Sequence, residues 1–490
     1  MLTEFVALLQ VHTLLFCVLG VILGVLAGAL PGINGGTLMA LALPLTFYMQ
    51  PLDAQILLIG MYMGDVSGGM IASTLIGVAG SPSSIMTTLD AYPMARKGRA
   101  ARALGIAIGA QFFGAMVSWL VLAFVAEPLG RLGVKFGPFE MFALVLFGLV
   151  MICAVGGSSF INALIAGLLG ILCALVGLDP VDGQPRLTFG IDALQNGLNL
   201  VPVILGIFAI APMLADELLP EGQGQKQSFT ARLPDIVRSI GVVRHYGVDL
   251  LRSSAVGTIV GLLPGIGAAI GATVSYSVAR LSSRHPEKFG TGAEQGVISS
   301  EGAASATVSA ALVPMISLGL PGSTADAFLL AALMIQAIQP GPLLVVEHPD
   351  IFFGIIGAAL LSVIVTLPIV LVASVSLANV LRVPRHLLTA AVIAFCIIGT
   401  YVSANSVSEL WTLVAFSVIG LVMIFSRLPL PAFVIGFILG PMAESSLRTG
   451  LMISHGSMLP LLQRPIPLVL LVMSVAAASW IGWRSRRIPS

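Results

Sequence analysis

The stretch GALPGINGG, residues 28–36, breaks an apolar segment with a Pro-Gly pair, and it recurs as GLLPGIGAA at residues 261–269. A second break follows each of these, as VAGSPSS at residues 78–84 and as GLPGSTA at residues 319–325. A Pro-Gly pair leaves backbone N–H and C=O groups without helical partners, which hydrocarbon tolerates only where they face protein or a watery cavity. The matched breaks therefore predict two copies of one arrangement of broken helices.

The segments around the breaks are apolar enough to lie in a bilayer. Hydrophobic residues make up 57% of the 490-residue chain and charged residues 9%, whereas soluble domains carry roughly a quarter charged residues. Three tracts without Asp, Glu, Lys or Arg are residues 141–178, 253–279 and 351–381. Each exceeds the ~20 residues that a spanning helix needs. The sequence thus predicts an all-α polytopic membrane protein with about 10–14 membrane segments, and it excludes a soluble enzyme or a single-span receptor.

The positions of Lys and Arg indicate which loops face the cytoplasm, because these residues are costly to translocate. The basic clusters lie at residues 96–102, 226–252, 280–288, 382–385 and 484–487. Spans between the first two clusters are predicted at about residues 103–126, 139–155, 159–178 and 198–215. Later spans are predicted at about residues 351–381, 387–404, 408–426, 430–446 and 466–483. With these numbers of spans between them, the basic clusters and the C-terminus all lie in the cytoplasm. Arg131, Lys135 and Arg186 then lie outside, near acidic residues.

The polar stretch 216–252 divides the chain near its middle. We interpret it as a cytoplasmic linker between a first transmembrane repeat, residues 1–215, and a second, residues 253–490. In the first half the basic cluster follows the second break, whereas in the second half the cluster at residues 280–288 lies between the breaks. By the charge rule, one half is inserted upside down relative to the other. This predicts two inverted-topology repeats with Pro/Gly-broken helices or re-entrant hairpins, an architecture of secondary transporters that bind substrate near the midplane.

The residues after the breaks are suited to an anionic ligand. A helix that restarts there points free N–H groups and its positive dipole end into the site, and small residues allow a close approach. The alternative for any single break is that its small residues serve only close helix packing. We predict that the substrate-binding residues are Asn34, Gly35, Gly36, Thr37, Ser81, Ser83, Ser84, Gly265, Gly267, Gly322, Ser323 and Thr324.

Acidic residues inside the apolar tracts are the second group of candidates. Asp65 and Glu301 lie at similar distances after the two LPGI motifs, and Asp326 lies four residues after Gly322. A carboxylate at membrane depth is costly and usually binds a cation or carries a proton. The alternative is that each caps a broken helix or lies near a wet surface. Asp90, close to the Arg96 cluster, is expected in a loop turn beside an interfacial anchor.

The sequence contains no pattern typical of an enzyme. The six histidines are scattered without HExxH, and there is no GxSxG elbow and no GKS or GKT phosphate loop. The four cysteines lack metal-type spacing, and the net charge of +1 gives no footprint for nucleic acid. We therefore predict no catalytic residues, no cofactor and no ATP hydrolysis, so that coupling must come from an ion gradient or another subunit.

Six longer motifs resemble one known family. They are LPGINGG (30–36), LDAYPMARKGRAARAL (89–104), HPEKFGTGAEQGVISSEGAASA (285–306), LVPMISLGLPGS (312–323), IQPGPLL (338–344) and LGPMAESSLR (439–448). In this order they resemble the large membrane subunit of the tripartite tricarboxylate transporters. The resemblance implies a bacterial inner-membrane permease that works with a small membrane subunit and a periplasmic solute-binding protein. It also implies uptake of citrate or other organic carboxylates by symport with a cation, Na⁺ or alternatively H⁺.

The chain departs from the family pattern at a few positions. Ala91 replaces a glycine, Ala304 and Ser305 stand where the family tends to have two asparagines, and Asp65 and Asp326 stand where small residues are expected. From the carboxylates and the resemblance together, we predict a coupling-cation site formed by Asp65, Glu301 and Ser305.

Two other functions stay open at this point. One is a stand-alone secondary carrier for another small solute, with the same fold and no obligatory partners. The other is a membrane-embedded enzyme for a lipid-linked substrate, but the paired acidic motif that such Mg²⁺ chemistry often needs is missing.

The topology is our first testable prediction. In a cysteine-free background, a Gly224→Cys variant should resist a membrane-impermeant thiol reagent added to intact cells, because the linker is predicted to be cytoplasmic. Lys135→Cys, at a position predicted to be outside, should be labelled under the same conditions. Labelling of Gly224→Cys from outside would contradict both the topology and the inverted repeat.

Overall fold

The computed structural model describes residues 10–30, 35–155, 160–179, 184–218, 232–380 and 385–485. Within these ranges the chain is helical except for loops and one short hairpin, in which β1 (Gly177–Leu178) pairs antiparallel with β2 (Pro185–Arg186). The helices of the first half are α1 (Val11–Ala29), α2 (Gly35–Thr46), α3 (Pro51–Leu75), α4 (Ile85–Thr88), α5 (Ala91–Met94), α6 (Ala100–Gly133), α7 (Pro138–Val155), α8 (Phe160–Ala174), α9 (Leu200–Ile204) and α10 (Ala211–Leu218).

The second half is also helical in the described residues. Its helices are α11 (Leu233–Ile240), α12 (Gly247–Gly261), α13 (Gly267–Ser282), α14 (Glu294–Leu318), α15 (Thr324–Ile335), α16 (Leu344–Glu347), α17 (Pro349–Val380), α18 (Arg385–Ala404), α19 (Ser408–Phe425), α20 (Leu430–Ile453), α21 (Leu459–Gln463) and α22 (Pro465–Ser485). The long helix after the first break has 25 residues in both halves, α3 and α14. The long helix that follows the second break is α6 in the first half, with 34 residues, and α17 in the second half, with 32 residues. The inversion of one half relative to the other stays a prediction.

Seven helices in the described ranges are long and apolar enough to cross a membrane. They are Val11–Ala29, Pro51–Leu75, Ala91–Gly133, Glu294–Leu318, Pro349–Leu377, Ser408–Phe425 and Leu430–Ile453, and shorter apolar helices accompany them. The predicted span 351–381 corresponds to α17, and the predicted span 408–426 corresponds to α19. The prediction of an all-α polytopic membrane protein is confirmed.

The described chain packs into two compact units, and both units take segments from both halves. One unit comprises Met1–Gly130 and Asp216–Ala391, and the other comprises Arg131–Ala215 and Val392–Ser490. The sequence halves 1–215 and 253–490 are therefore not separately packed bodies. All four breaks belong to the first unit, which we call the break unit. The middle of the 216–252 linker, residues 219–231, lies outside the described residues.

Within the break unit, α1 and α3 interlock through glycines spaced four residues apart. A Cβ atom on Gly24 would lie 2.2 Å from the Met61 carbonyl oxygen, and one on Gly64 would lie 2.4 Å from the Val21 carbonyl oxygen. Gly20, Gly28 and Gly68 make similarly close approaches, and a Cβ on Gly60 would lie 3.0 Å from the Cys17 carbonyl oxygen. Small residues at this spacing allow the backbones of membrane helices to approach each other and gain van der Waals contact.

In the other unit, Arg186, one of the basic residues that the predicted topology leaves outside, is paired with acidic residues. Arg186 Nη1 lies 2.6 Å from Glu444 and 3.4 Å from Asp179, and Arg448 pairs with the same two carboxylates. Arg464 pairs with Glu140 at 3.1 Å. These pairs compensate positive charge that the charge rule would disfavour on the predicted outer side.

The glycine contacts generate a stability prediction. Gly24→Ala should lower the free energy of unfolding by about 1–3 kcal/mol, because even a methyl group overpacks this helix interface. The measurement is thermal unfolding of the purified protein in detergent. The control is Gly241→Ala, where no atom lies within 4 Å of the new Cβ and φ is −61°. Equal melting temperatures for the two variants would show that the interface relaxes without cost.

Candidate functional site

The two breaks of the first half lie against each other. A Cβ atom on Gly80 would lie 1.9 Å from the Gly28 carbonyl oxygen, and one on Gly69 would lie 2.1 Å from Ser81 Oγ. After the second break, residues 82–84 form a 3₁₀ turn in which Ser81 and Ser84 cap each other. Ser81 Oγ also lies 2.9 Å from Ser83 Oγ. The predicted serines are thus buried and bonded to one another in this structure.

The two breaks of the second half also meet. The Gly265 N–H donates to the Pro321 carbonyl over 3.2 Å, which satisfies one group from each break. Gly265 and Gly267 adopt positive φ angles of 82° and 71°, a conformation that glycine adopts without the steric cost of a Cβ. A Cβ on Gly267 would lie 3.7 Å from Ser323 Cβ, so the beginnings of α13 and α15 lie side by side.

Contacts between the halves bring the four breaks together within the break unit. Helix α2 packs on α15, and α13 packs on the 3₁₀ turn at Pro82–Ser84. Tyr62, in the middle of α3, has its hydroxyl 2.9 Å from Ser323 Oγ. The structure therefore groups the predicted binding residues Gly35, Gly36, Thr37, Ser81, Ser83, Ser84, Gly265, Gly267, Gly322, Ser323 and Thr324 around these helix starts. Asn34 lies outside the described residues.

Acidic side chains of the protein itself already occupy two of the helix N-termini. Asp65 Oδ1 accepts the Gly35 N–H over 2.7 Å at the start of α2. Ser323 caps α15 and donates through its hydroxyl to Asp326 Oδ2 over 2.7 Å. Asp326 is fully buried, and its Oδ1 has no hydrogen-bond partner in the described residues. Carboxylates are favourable at these positive helix ends.

The start of α13 differs from the other restarts, because no side chain caps it. The hydroxyl of Thr324, in the first turn of α15, also has no hydrogen bond within the part of the chain described here, and the residue is half-buried. These two groups remain available to a ligand beside Ser323.

Glu301 anchors a separate chain of polar groups across the break unit. It is fully buried, and Thr87 Oγ1 donates to its Oε1. Gln111 Nε2 donates to its Oε2 over 2.6 Å, and Ser67 Oγ donates to Gln111 Oε1 over 2.9 Å. Thr87 also lies 3.0 Å from Ser300 Oγ. Among the described residues Glu301 thus meets only neutral donors, so its charge has no basic partner.

A small cavity adjoins this chain. Its volume is about 30 Å³, and its polar lining comes from Ser67, Gln111, Ser305 and Thr366. The Thr366 hydroxyl is buried without a hydrogen-bond partner in the described residues. The volume exceeds the ~10–15 Å³ that one water needs. Ser305, one turn after Glu301 on α14, therefore borders a space that fits a water molecule or a small cation.

The predicted cation residues have different surroundings. Asp65 binds the start of α2, whereas Glu301 and Ser305 lie on α14 near Gln111. No group of three or more His, Cys, Asp or Glu that could hold a metal occurs in the described ranges. A shared cation site for Asp65, Glu301 and Ser305 stays a prediction.

Asp90 has a long-range contact that its local turn does not explain. It is fully buried, and its Oδ1 accepts the backbone N–H groups of Gly290, Gly292 and Ala293 over 2.8–2.9 Å. Its Oδ2 accepts the Tyr276 hydroxyl over 2.8 Å. Hydrogen bonds to a charged group contribute about 1.5–3 kcal/mol each. Asp90 therefore holds the loop before α14 and positions the helix that carries Glu301.

The basic residues after Asp90 strengthen the same contact between the halves. Arg99 and Arg102 pair with Glu294 at the start of α14, and Lys97 Nζ donates to the Thr291 carbonyl over 2.7 Å. Tyr246 donates to Glu294 over 2.9 Å. Burial, followed by this hydrogen bond, raises the pKa of Tyr246 above its usual range, so it stays a donor near neutral pH. The Arg96 segment thus joins the two halves of the chain.

Sequence reasoning missed Tyr62, Thr87 and Gln111. Gln111 is an amide inside an apolar span, and polar residues in such spans are often functional, so it was detectable. Thr87 and Tyr62 carried no comparable signal, because threonine and tyrosine are common in membrane helices and their partners are distant in sequence.

Comparison with known proteins agrees with this architecture. The family model for the tripartite tricarboxylate transporter TctA family matches residues 14–435. A protein of Agrobacterium vitis, described as an uncharacterized 52.8 kDa protein in the TAR-I ttuC′ 3′ region, is 33% identical over 467 residues. That alignment covers 94% of this chain and 92% of the relative.

A second Agrobacterium vitis protein, described as an uncharacterized protein in the TAR-II ttuC′ 3′ region, is 32% identical over 219 residues. The alignment covers 44% of this chain and 89% of the relative. No solved structure matches the chain significantly. With the family model spanning most of the chain, and with an all-α membrane fold, the protein belongs to the TctA family of tripartite tricarboxylate transporters, a family of multi-pass inner-membrane permeases and not of enzymes.

Proposed function

We propose that the protein is the permease subunit of an ion-coupled importer that takes tricarboxylates, such as citrate, or related organic carboxylates into the bacterial cell. The main support is the meeting of four broken helices in one compact unit, without Lys or Arg among the predicted binding residues. In such a site an anion is held by helix N-termini and hydroxyls.

The substrate is proposed to bind beside the starts of α13 and α15. The uncapped N-terminus of α13 supplies backbone donors, and Thr324 supplies a hydroxyl with no partner in the described structure. Gly267 has a positive φ angle at the start of α13, where the backbone lies next to Ser323. Neutral donors bind an anion less tightly than an arginine would, which favours release on the other side of the membrane.

Ion coupling is proposed to occur at Glu301. A buried carboxylate without a basic partner is costly unless it binds a proton or a cation. The cavity beside Ser305 has room for a small cation, and the hydroxyl and amide oxygens around it are ligands that suit Na⁺. Na⁺ is therefore our first choice for the coupling ion and H⁺ our second.

The proposed partners are the small membrane subunit and the periplasmic solute-binding protein of the same transporter. They follow from the general organisation of the family. The competing function is a stand-alone carrier that needs neither. Reconstituted uptake that requires the binding protein supports the tripartite assignment, and equal uptake without it supports the stand-alone carrier.

Removal of one hydroxyl tests the substrate site. Thr324→Val keeps the shape of the side chain and should raise the KM for the organic carboxylate about three- to tenfold, as expected for one lost hydrogen bond of about 1 kcal/mol. The measurement is uptake of radiolabelled citrate at equal amounts of protein in the membrane.

Thr273→Val is the matched control. Thr273 lies on α13 and is half-buried, but its hydroxyl donates to the Ala269 carbonyl of its own helix over 2.8 Å. Its KM should stay at the wild-type value. An unchanged KM in the Thr324 variant would place the substrate elsewhere.

Neutralisation of Glu301 tests the coupling. Glu301→Gln preserves the size and an acceptor for Thr87, and it should reduce the stimulation of uptake by Na⁺ or by low external pH at least several-fold. Glu409→Gln, which alters a carboxylate in the other compact unit, should keep the wild-type ion dependence. Asp65→Asn is tested in the same way. If Glu301→Gln retains full ion stimulation, Glu301 does not carry the coupling ion.

A further inference from the structure

A second and larger cavity lies in the break unit, away from the helix restarts. It has a volume of about 480 Å³, in the ~300–1,000 Å³ range of ligand pockets. Its walls include Phe112 and Phe113 of α6, Val243 of the 3₁₀ turn Gly241–Tyr246, and Leu250 of α12. This lining is almost entirely apolar, which does not suit a tricarboxylate.

One charged side chain, Arg244, lines the apolar cavity. It is exposed, and within the described residues it forms no hydrogen bond and no ion pair. Arg252, on the following helix α12, is instead paired with Asp249. An unpaired guanidinium beside an apolar space is complementary to a molecule with an anionic group attached to a hydrocarbon chain.

The helix before the cavity has the pattern of a segment that lies at a membrane surface. Ile236 of α11 is buried against the protein, whereas Leu233 and Val237 on another face are 40% and 50% exposed. Arg232 and Arg238 beside them are also exposed. Exposed apolar residues combined with basic ones are typical of helices in the headgroup region. The segment belongs to the basic cluster that the charge rule assigns to the cytoplasmic side.

Close backbone packing keeps the cavity wall in place. A Cβ on Gly105 would lie 2.4 Å from the Ile236 carbonyl oxygen, and one on Gly109 would lie 2.9 Å from Val243 Cγ2. Helix α6 and the segment 233–246 are therefore fitted to each other. The cavity is a gap between fitted elements and does not arise from loose packing of this segment.

We propose that this cavity binds an anionic phospholipid of the cytoplasmic leaflet, with an acyl chain in the apolar space and the phosphate on Arg244. Basic pockets at the cytoplasmic ends of membrane helices bind anionic headgroups in this way. A flexible acyl chain can adapt to an irregular apolar space of about 480 Å³, whereas an α-helix of another subunit is a rigid cylinder about 10–12 Å across with its side chains. The site is separate from the proposed substrate site, and it shares Phe112 and Leu367 with the lining of the small cavity beside Ser305.

The test uses the full-length protein purified in mild detergent, with bound lipid measured by native mass spectrometry during titration with phosphatidylglycerol or phosphatidylcholine. The wild type should bind one phosphatidylglycerol more tightly than phosphatidylcholine. Arg244→Gln should lose about fivefold of that preference, the effect of one basic residue near an anionic lipid. Arg238→Gln, which removes the same charge outside the cavity, should keep it.

A second variant tests the apolar part of the site. Gly247 lines the cavity with no atom within 4 Å of an added Cβ, so Gly247→Leu should fill space and weaken both lipids. Gly241→Leu has equally open surroundings but lies outside the cavity lining, and it is the control. Wild-type lipid binding by both Arg244→Gln and Gly247→Leu overturns the proposal. So does loss of the bound lipid when the small membrane subunit is co-purified, because the cavity would then be a protein contact.

Discussion

The need to satisfy backbone N–H and C=O groups at membrane depth governs the rest of the structure. The breaks interrupt helices, and several of the interrupted groups in the described residues find partners in other breaks or in nearby side chains. The Gly265 N–H reaches Pro321, and the Gly35 N–H reaches Asp65. Ser81 and Ser323 cap the two later restarts. Because the first two pairs join residues that are far apart in sequence, satisfying these groups also fixes which segments lie together.

Two polar assemblies extend from this arrangement across the halves of the chain. Asp90 and Glu294 join the segment at residues 90–102 to the loop and first turn of α14. Two turns further along α14, Glu301 joins Thr87 and Gln111 from the first half. Helix α14 is thus held at its N-terminal end by charged groups, and further along by neutral side chains that donate hydrogen bonds to Glu301. A displacement of the loop before α14 would therefore change the surroundings of Glu301.

The sequence predicted the helices well because long apolar tracts have few alternatives in a bilayer, and α17 and α19 follow the expected spans closely. It also located the breaks, because Pro-Gly pairs act locally. Capping of a broken helix by Asp65 was the alternative to a cation role, but nothing in the sequence identified α2 as that helix, and it did not predict that Asp90 binds residues 290–293 or that Gln111 meets Glu301. Those contacts join positions 30 to 203 residues apart. Without an alignment, nothing in residue type or spacing selects such partners.

The glycine interface between α1 and α3 restricts how the protein can move. Carbonyl oxygens of one helix occupy the space that side chains would take on the other, at Gly24 and again at Gly64. Sliding one helix along the other would bring larger residues, such as Met61 and Val21, into these narrow positions. The pair should therefore move as one rigid body in any alternating-access movement.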